Sequence, residues 1–142
     1  LNVTAISAVN NASVLECWEL TNPPRTFRGA ANYDIGSFAN AYIGVIAPKT
    51  YIGKAYAPSP QYSLFLSGLA HISIPNSTLP ASQSEVWVQG GKYGTIIAVD
   101  TTAVSIGGHI TEFPGGDDTV IAQFPFVDEK LPEHKVLYRG PC

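Results

Sequence analysis

The segment Gln61-Tyr62-Ser63-Leu64-Phe65-Leu66-Ser67-Gly68, with Leu69-Ala70-His71-Ile72-Ser73-Ile74 directly after it, decides the fold class. Residues 61–67 read as a strand that turns at Gly68 into a second one. In that second run the even positions are apolar and the odd ones mostly polar, which is the period of a strand with one wet face. Similar signals recur on both sides. Downstream, residues 85–88, 95–99, 109–113, 119–124 and 135–138 carry strand character, broken by Gly90-Gly91 and by Pro114-Gly115-Gly116-Asp117-Asp118. Thr95-Ile96-Ile97-Ala98-Val99 is almost wholly apolar, which predicts a central strand. Upstream, Tyr42-Ile43-Gly44-Val45-Ile46 is stopped by Pro48. Val14, Cys17, Trp18 and Leu20 mark a first strand that ends at Asn22-Pro23-Pro24, because two prolines cannot donate to a ladder. Residues 25–40 show no clear period, and a loop is expected through Gly53, Pro58 and Pro60. Short strands with turn signals between them, and no helical run, predict an all-β sandwich or barrel. No linker or internal repeat divides the chain, so a single domain is expected over 1–142.

Composition narrows the partners. Charged residues make up 13% and hydrophobic ones 45%, which supports a packed core and excludes the usual disordered classes. A net charge of −3 without a basic run gives nucleic acid or anionic lipid little to hold. No apolar stretch approaches the roughly 18–20 residues of a membrane span. Neither nucleic acid nor membrane is therefore an expected partner, and the chain is expected as a monomer or homodimer.

Three sequons, at Asn2-Val3-Thr4, Asn11-Ala12-Ser13 and Asn76-Ser77-Thr78, lack a central proline and point to a secreted, extracellular glycoprotein. Leu1 in place of an initiator methionine fits a chain whose signal peptide has been removed. Cys17 and Cys142 are the only cysteines and make one possible bridge, the alternative being two unrelated buried thiols. A bridge of that span adds at most about 4–5 kcal/mol by loop-closure arithmetic.

Two stretches carry a family resemblance. The spacing from Gln61 to Gly68 is that of the glutamate-to-glycine part of the first cupin motif. Gly94-Thr95-Ile96-Ile97-Ala98-Val99-Asp100-Thr101-Thr102, followed by Gly107-Gly108-His109-Ile110-Thr111, resembles the second motif of small single-domain cupins. The run from Tyr56 through Phe113, and the tail from Pro132 to Cys142, are similar to small secreted cupin-like proteins of filamentous fungi without assigned activity. The resemblance implies a cupin-like jelly-roll barrel. It also implies that Gln61, Ser63, Phe65 and Ser67 face the interior, with Tyr56, Trp87, His109, Thr111 and Phe113 as candidates for its rim or wall.

A metal-dependent cupin places two histidines at i and i+2 on one strand, so that both imidazoles point inward, then a carboxylate, then a histidine from the second motif. Here Lys54 and Tyr56, or in the neighbouring register Ala55 and Ala57, stand where the histidine pair belongs. Gln61 offers a neutral carbonyl in place of the carboxylate, and only His109 remains as an obvious ligand. No metal or other cofactor is expected, unless His71 or Glu85 completes a rearranged centre. His109 reads either as an acid, base or hydrogen-bond partner in the barrel mouth, or as a strand histidine held by a carbonyl or by Asp100. His71, between apolar neighbours, and His134, near the terminus, read as surface residues. Asp117-Asp118 reads as a solvated turn. No Gly-x-Ser-x-Gly elbow is present, and no paired carboxylates are linked by a motif.

The expected site is thus a degenerate, metal-free pocket of Tyr56, Gln61, Ser63, Phe65, Trp87, His109 and Thr111, suited to a carbohydrate or small metabolite. Two alternatives stay open. One is an enzyme using His109, as a lyase or isomerase with Tyr56 or Lys54 or as a metal-dependent oxygenase. The other is a non-catalytic or host-facing scaffold whose interior is filled by side chains.

Overall fold

The computed structural model describes residues 1–142 and is an all-β protein. Thirteen strands follow in chain order: β1 (Asn2–Val9), β2 (Ala12–Leu20), β3 (Arg25–Phe27), β4 (Ala30–Asn32), β5 (Tyr42–Ile46), β6 (Thr50–Ala55), β7 (Gln61–Phe65), β8 (Leu69–Ser73), β9 (Glu85–Gln89), β10 (Thr95–Ala98), β11 (His109–Phe113), β12 (Thr119–Pro125) and β13 (His134–Arg139). One helical turn, α1 (Ala81–Ser84), and a 3-10 turn at Val127–Glu129 complete the elements.

The strands form a seven-stranded sheet of order β13-β2-β1-β10-β7-β12-β5, a four-stranded sheet of order β6-β11-β8-β9, and the small β3–β4 hairpin. β1 and β2 meet across Asn10-Asn11, both left-handed at φ 51° and 62°, the conformation a two-residue primed hairpin turn needs. β1 then pairs in parallel with β10, Thr4 beside Ile96 and Ile6 beside Ala98, while every other ladder is antiparallel. Cys17 and Cys142 form the disulfide, joining β2 to the C-terminus. The terminal backbone is held further by the Cys142 N–H, which donates to Thr4 Oγ1 at 3.0 Å.

Two apolar layers hold the sheets. Between them pack Ile6, Leu15, Phe65 and Ile96 from the larger sheet against Ile72, Val88 and Phe113 from the smaller. On the far side of the larger sheet, Val3, Trp18, Tyr62 and Ile97 pack with Phe126 under partly buried Ile35, Phe38 and Leu131. The larger sheet is therefore covered on both faces. This explains why β1, which sends Val3 and Ala5 to one layer and Ile6 to the other, shows no clean alternation in sequence.

A closed barrel is not formed. The ladders leave two separate sheets, a sandwich whose connections at Pro48 and at Pro58–Pro60 stop strands from running from one sheet into the other. A further correction concerns residues 50–55, expected as loop and found as β6. Gly53 and Lys54 mask an edge strand that leaves Tyr51 and Ile52 exposed.

Candidate functional site

A cavity of about 200 Å³ lies between the sheets. The larger sheet contributes Gln61, Ser63 and Phe65 from β7, the smaller contributes His109 and Thr111 from β11, and Tyr56 enters from the loop after β6. Gln61, Ser63 and Phe65 alternate with Tyr62 and Leu64, which face the other core. Gln61 and His109 thus come from different sheets and line the same hollow. Gln123, on the neighbouring β12 opposite Ser63, adds a second amide that the sequence patterns did not single out. The cavity walls carry no Lys, Arg, Asp or Glu.

Behind His109 sits a buried polar chain. Asp100 is fully buried, and its Oδ2 lies 2.8 Å from His109 Nδ1. A carboxylate accepts only, so Nδ1 carries the shared proton, and in the neutral ring the lone pair is then on Nε2. Ser13 Oγ donates to the same Oδ2 at 2.8 Å and stands 2.7 Å from Ser105 Oγ, which in turn accepts the Gly108 N–H at 3.1 Å. Residues from β2, from the 99–108 connection and from β11 are therefore tied into one unit that sets the imidazole plane. Gly108 makes this possible. It is left-handed at φ 64°, and a Cβ there would run into the backbone oxygen of Ala55 on β6. Asp100 holds His109, and the ring also lines the cavity. The Tyr56 hydroxyl donates to the Ile106 carbonyl at 2.6 Å, tying the loop after β6 to the same connection.

Trp87 does not belong to this cavity. Val86 and Val88 pack toward the core, which turns Trp87 to the outer face of the smaller sheet, where it is 59% exposed. Ser67 is likewise exposed, because β7 ends at Phe65. Phe113 is buried in the cavity wall. Lys54 is exposed, with Nζ 5.5 Å from the Tyr56 ring centre and no part in the lining. His71 and Glu85 meet each other at 3.0 Å on the outer face, remote from His109. His134 is half-buried, its ring stacked on Trp18 at 3.7 Å. Asp117 and Asp118 are exposed in their turn, and Asn2, Asn11 and Asn76 are all exposed.

Of the places where a cupin would hold a metal, only Gln61 and His109 carry a donor that reaches the cavity beside the Tyr56 ring. Nowhere do three or more His, Cys, Asp or Glu side chains converge as an ion would need. No family model, curated protein or solved structure matches the chain.

Proposed function

We propose that this chain is a secreted, cupin-like glycoprotein whose inter-sheet cavity binds a small, neutral carbohydrate or metabolite without a metal. The observation that carries the reading is the cavity itself, where His109 with an open Nε2 shares a wall-to-wall space with Gln61, Ser63, Thr111 and Gln123. These groups donate and accept hydrogen bonds without net charge, while 12 of the 18 lining residues are hydrophobic, which suits a ligand with one polar edge. With no fixed cation in the lining, an anionic ligand would go unbalanced. The volume of about 200 Å³ favours a single ring over an oligomer.

The cupin-like assignment draws support from connectivity. β5 to β12 divide between the sheets in the orders β5-β12-β7-β10 and β6-β11-β8-β9, crossing at every step but the β8–β9 hairpin, which is the interlocked Greek-key order of a jelly roll. β1, β2 and β13 extend the first of these sheets beyond β10. Glycosylation draws support from the exposure of all three sequon asparagines, and the disulfide is compatible with an extracellular setting.

A thermal-shift screen of neutral monosaccharides and small phenols tests the binding reading. A ligand at 100 times its Kd is expected to stabilise the protein by about 2.7 kcal/mol. Ser63→Phe, which fills the cavity, is expected to abolish that shift. If nothing in the screen shifts the wild type, and Ser63→Phe is the more stable protein, the scaffold reading replaces this one. Elemental analysis that found a stoichiometric transition metal would remove the metal-free part of the reading.

One observation favours a second reading, acid–base catalysis. Asp100 fixes the His109 tautomer and leaves Nε2 able to take a proton from a bound ligand, with an amide of Gln61 or Gln123 in the same cavity to steady developing negative charge. Deuterium uptake from solvent into the bound ligand, lost in His109→Gln, distinguishes turnover from binding alone.

A further inference from the structure

The outer face of the four-stranded sheet carries a built row of side chains that the cavity does not use. Four residues stand in register across all four strands: Tyr51 on β6, Glu112 on β11, His71 on β8 and Trp87 on β9. Their neighbours Ile52, Thr111 and Ile72 line the cavity beneath, so the four project to the opposite side. Tyr51 is 63% exposed and Trp87 59%, and the two rings stand three strand spacings apart, about 14 Å.

The row is stiffened. The His71 ring stacks against Trp87 with centroids 4.3 Å apart and planes 17° from parallel. His71 Nε2 donates to Glu85 Oε2 at 3.0 Å, and its Nδ1 lies 3.8 Å from Glu112. One face of the indole is therefore backed by a ring that two carboxylates hold in place, while the other is presented to solvent. Holding a large exposed ring in one orientation costs side-chain entropy and buries little of it, so packing alone does not account for the arrangement.

From this face we infer a second binding site, for a neutral, β-linked polysaccharide strand laid across the sheet from Trp87 to Tyr51. The ring faces take the C–H faces of the sugars, and the half-exposed Glu85 and Glu112 accept from hydroxyls between them. A row set in register across four paired strands matches an extended ribbon of equatorially linked sugars and not a coiled, α-linked one. The two carboxylates argue against the other occupants. An apolar protein surface would bury Glu112 without a hydrogen bond and leave Glu85 only its bond to His71, and a second copy docking through this face would bring two more carboxylates to it. This site is separate from the cavity, and its existence does not depend on what the cavity binds.

The test is titration of the full chain with cellohexaose, laminarihexaose and chitohexaose, with maltohexaose for comparison, followed by calorimetry and tryptophan emission. Saturable binding of at least one β-linked hexamer is expected, with a change in emission, since Trp18 is buried and Trp87 is the exposed indole. Trp87→Ala and Tyr51→Ala are each expected to weaken binding by about tenfold, one ring's share of stacking. His71→Ala is expected to weaken it less, with Trp87→Phe recovering part of the loss seen in Trp87→Ala. Ser63→Phe, in the cavity, is expected to leave hexamer affinity unchanged. Absence of saturable binding by all three β-linked hexamers, wild-type affinity in Trp87→Ala, or loss of binding in Ser63→Phe alone would each overturn the proposal.

Discussion

Asp100 shows how a single buried side chain can organise a site. It is inaccessible, its Oδ2 accepts from Ser13 and from His109, and its Oδ1 has no partner within the protein. Asp100→Ala removes the acceptor of His109 Nδ1 and leaves Ser13 only Ser105, and a loss of about 3 kcal/mol is expected by urea unfolding. Asp100→Asn keeps an acceptor for both and is expected to recover most of that loss. Tyr62 is the opposite case. Burial, with a smaller contribution from the Asp34 carboxylate, raises its phenol from the ordinary 10.0 to about 12, and the hydroxyl has no hydrogen-bond partner. Because the folded protein holds this proton more tightly than the unfolded chain, the associated stability is complete below pH 10.0 and disappears as pH rises to about 12. Unfolding free energy is expected to drop across that window by about 1.4 kcal/mol per pH unit. Tyr62→Phe is expected to lack this drop, and to match or exceed wild-type stability at pH 7 because it removes an unsatisfied group.

Strands differ in how much of their role their own residues carry. β8 alternates cleanly because one of its faces is wet, and β10 is continuously apolar because both of its faces are covered and β1 and β7 flank it. β5 is more exposed. It closes one edge of the larger sheet without charge, proline or bulge, and Ile43 and Val45 are 74% and 65% exposed. Such an edge is a template for pairing with another chain. Ile43→Lys is expected to raise the concentration at which the purified protein begins to self-associate, read by light scattering. At the other end of the site, Gly108→Ala is expected to push β11 away from β6 at Ala55 and so shift His109, with loss of ligand-induced stabilisation as the readout.

Across the whole molecule, the disulfide links β2 to the last residue over 125 positions and closes the β13 end of the larger sheet. Reduction, or Cys142→Ser, is expected to lower stability by up to about 5 kcal/mol, measured as a fall in Tm under reducing conditions. The β13 strand is expected to lose amide-exchange protection first, because its only ladder is to β2. The sandwich also separates two surfaces that a single pocket would have merged. Trp87 on β9 and His109 on β11 belong to the same sheet, with β8 between their strands, yet that sheet stands between their side chains.

The order of residues was enough to specify an all-strand chain, most strand positions, the pairing of Cys17 with Cys142, and Gln61, Ser63 and Phe65 sharing one face, because period-2 alternation and cysteine count are local or near-local properties. Folding alone decided that β1 inserts in parallel beside β10, that Asp100 reaches Ser13 from 87 positions away, and that Trp87 looks outward. Those outcomes depend on which sheet a strand joins and which of its faces meets the core, and neither is written in the spacing of any one segment.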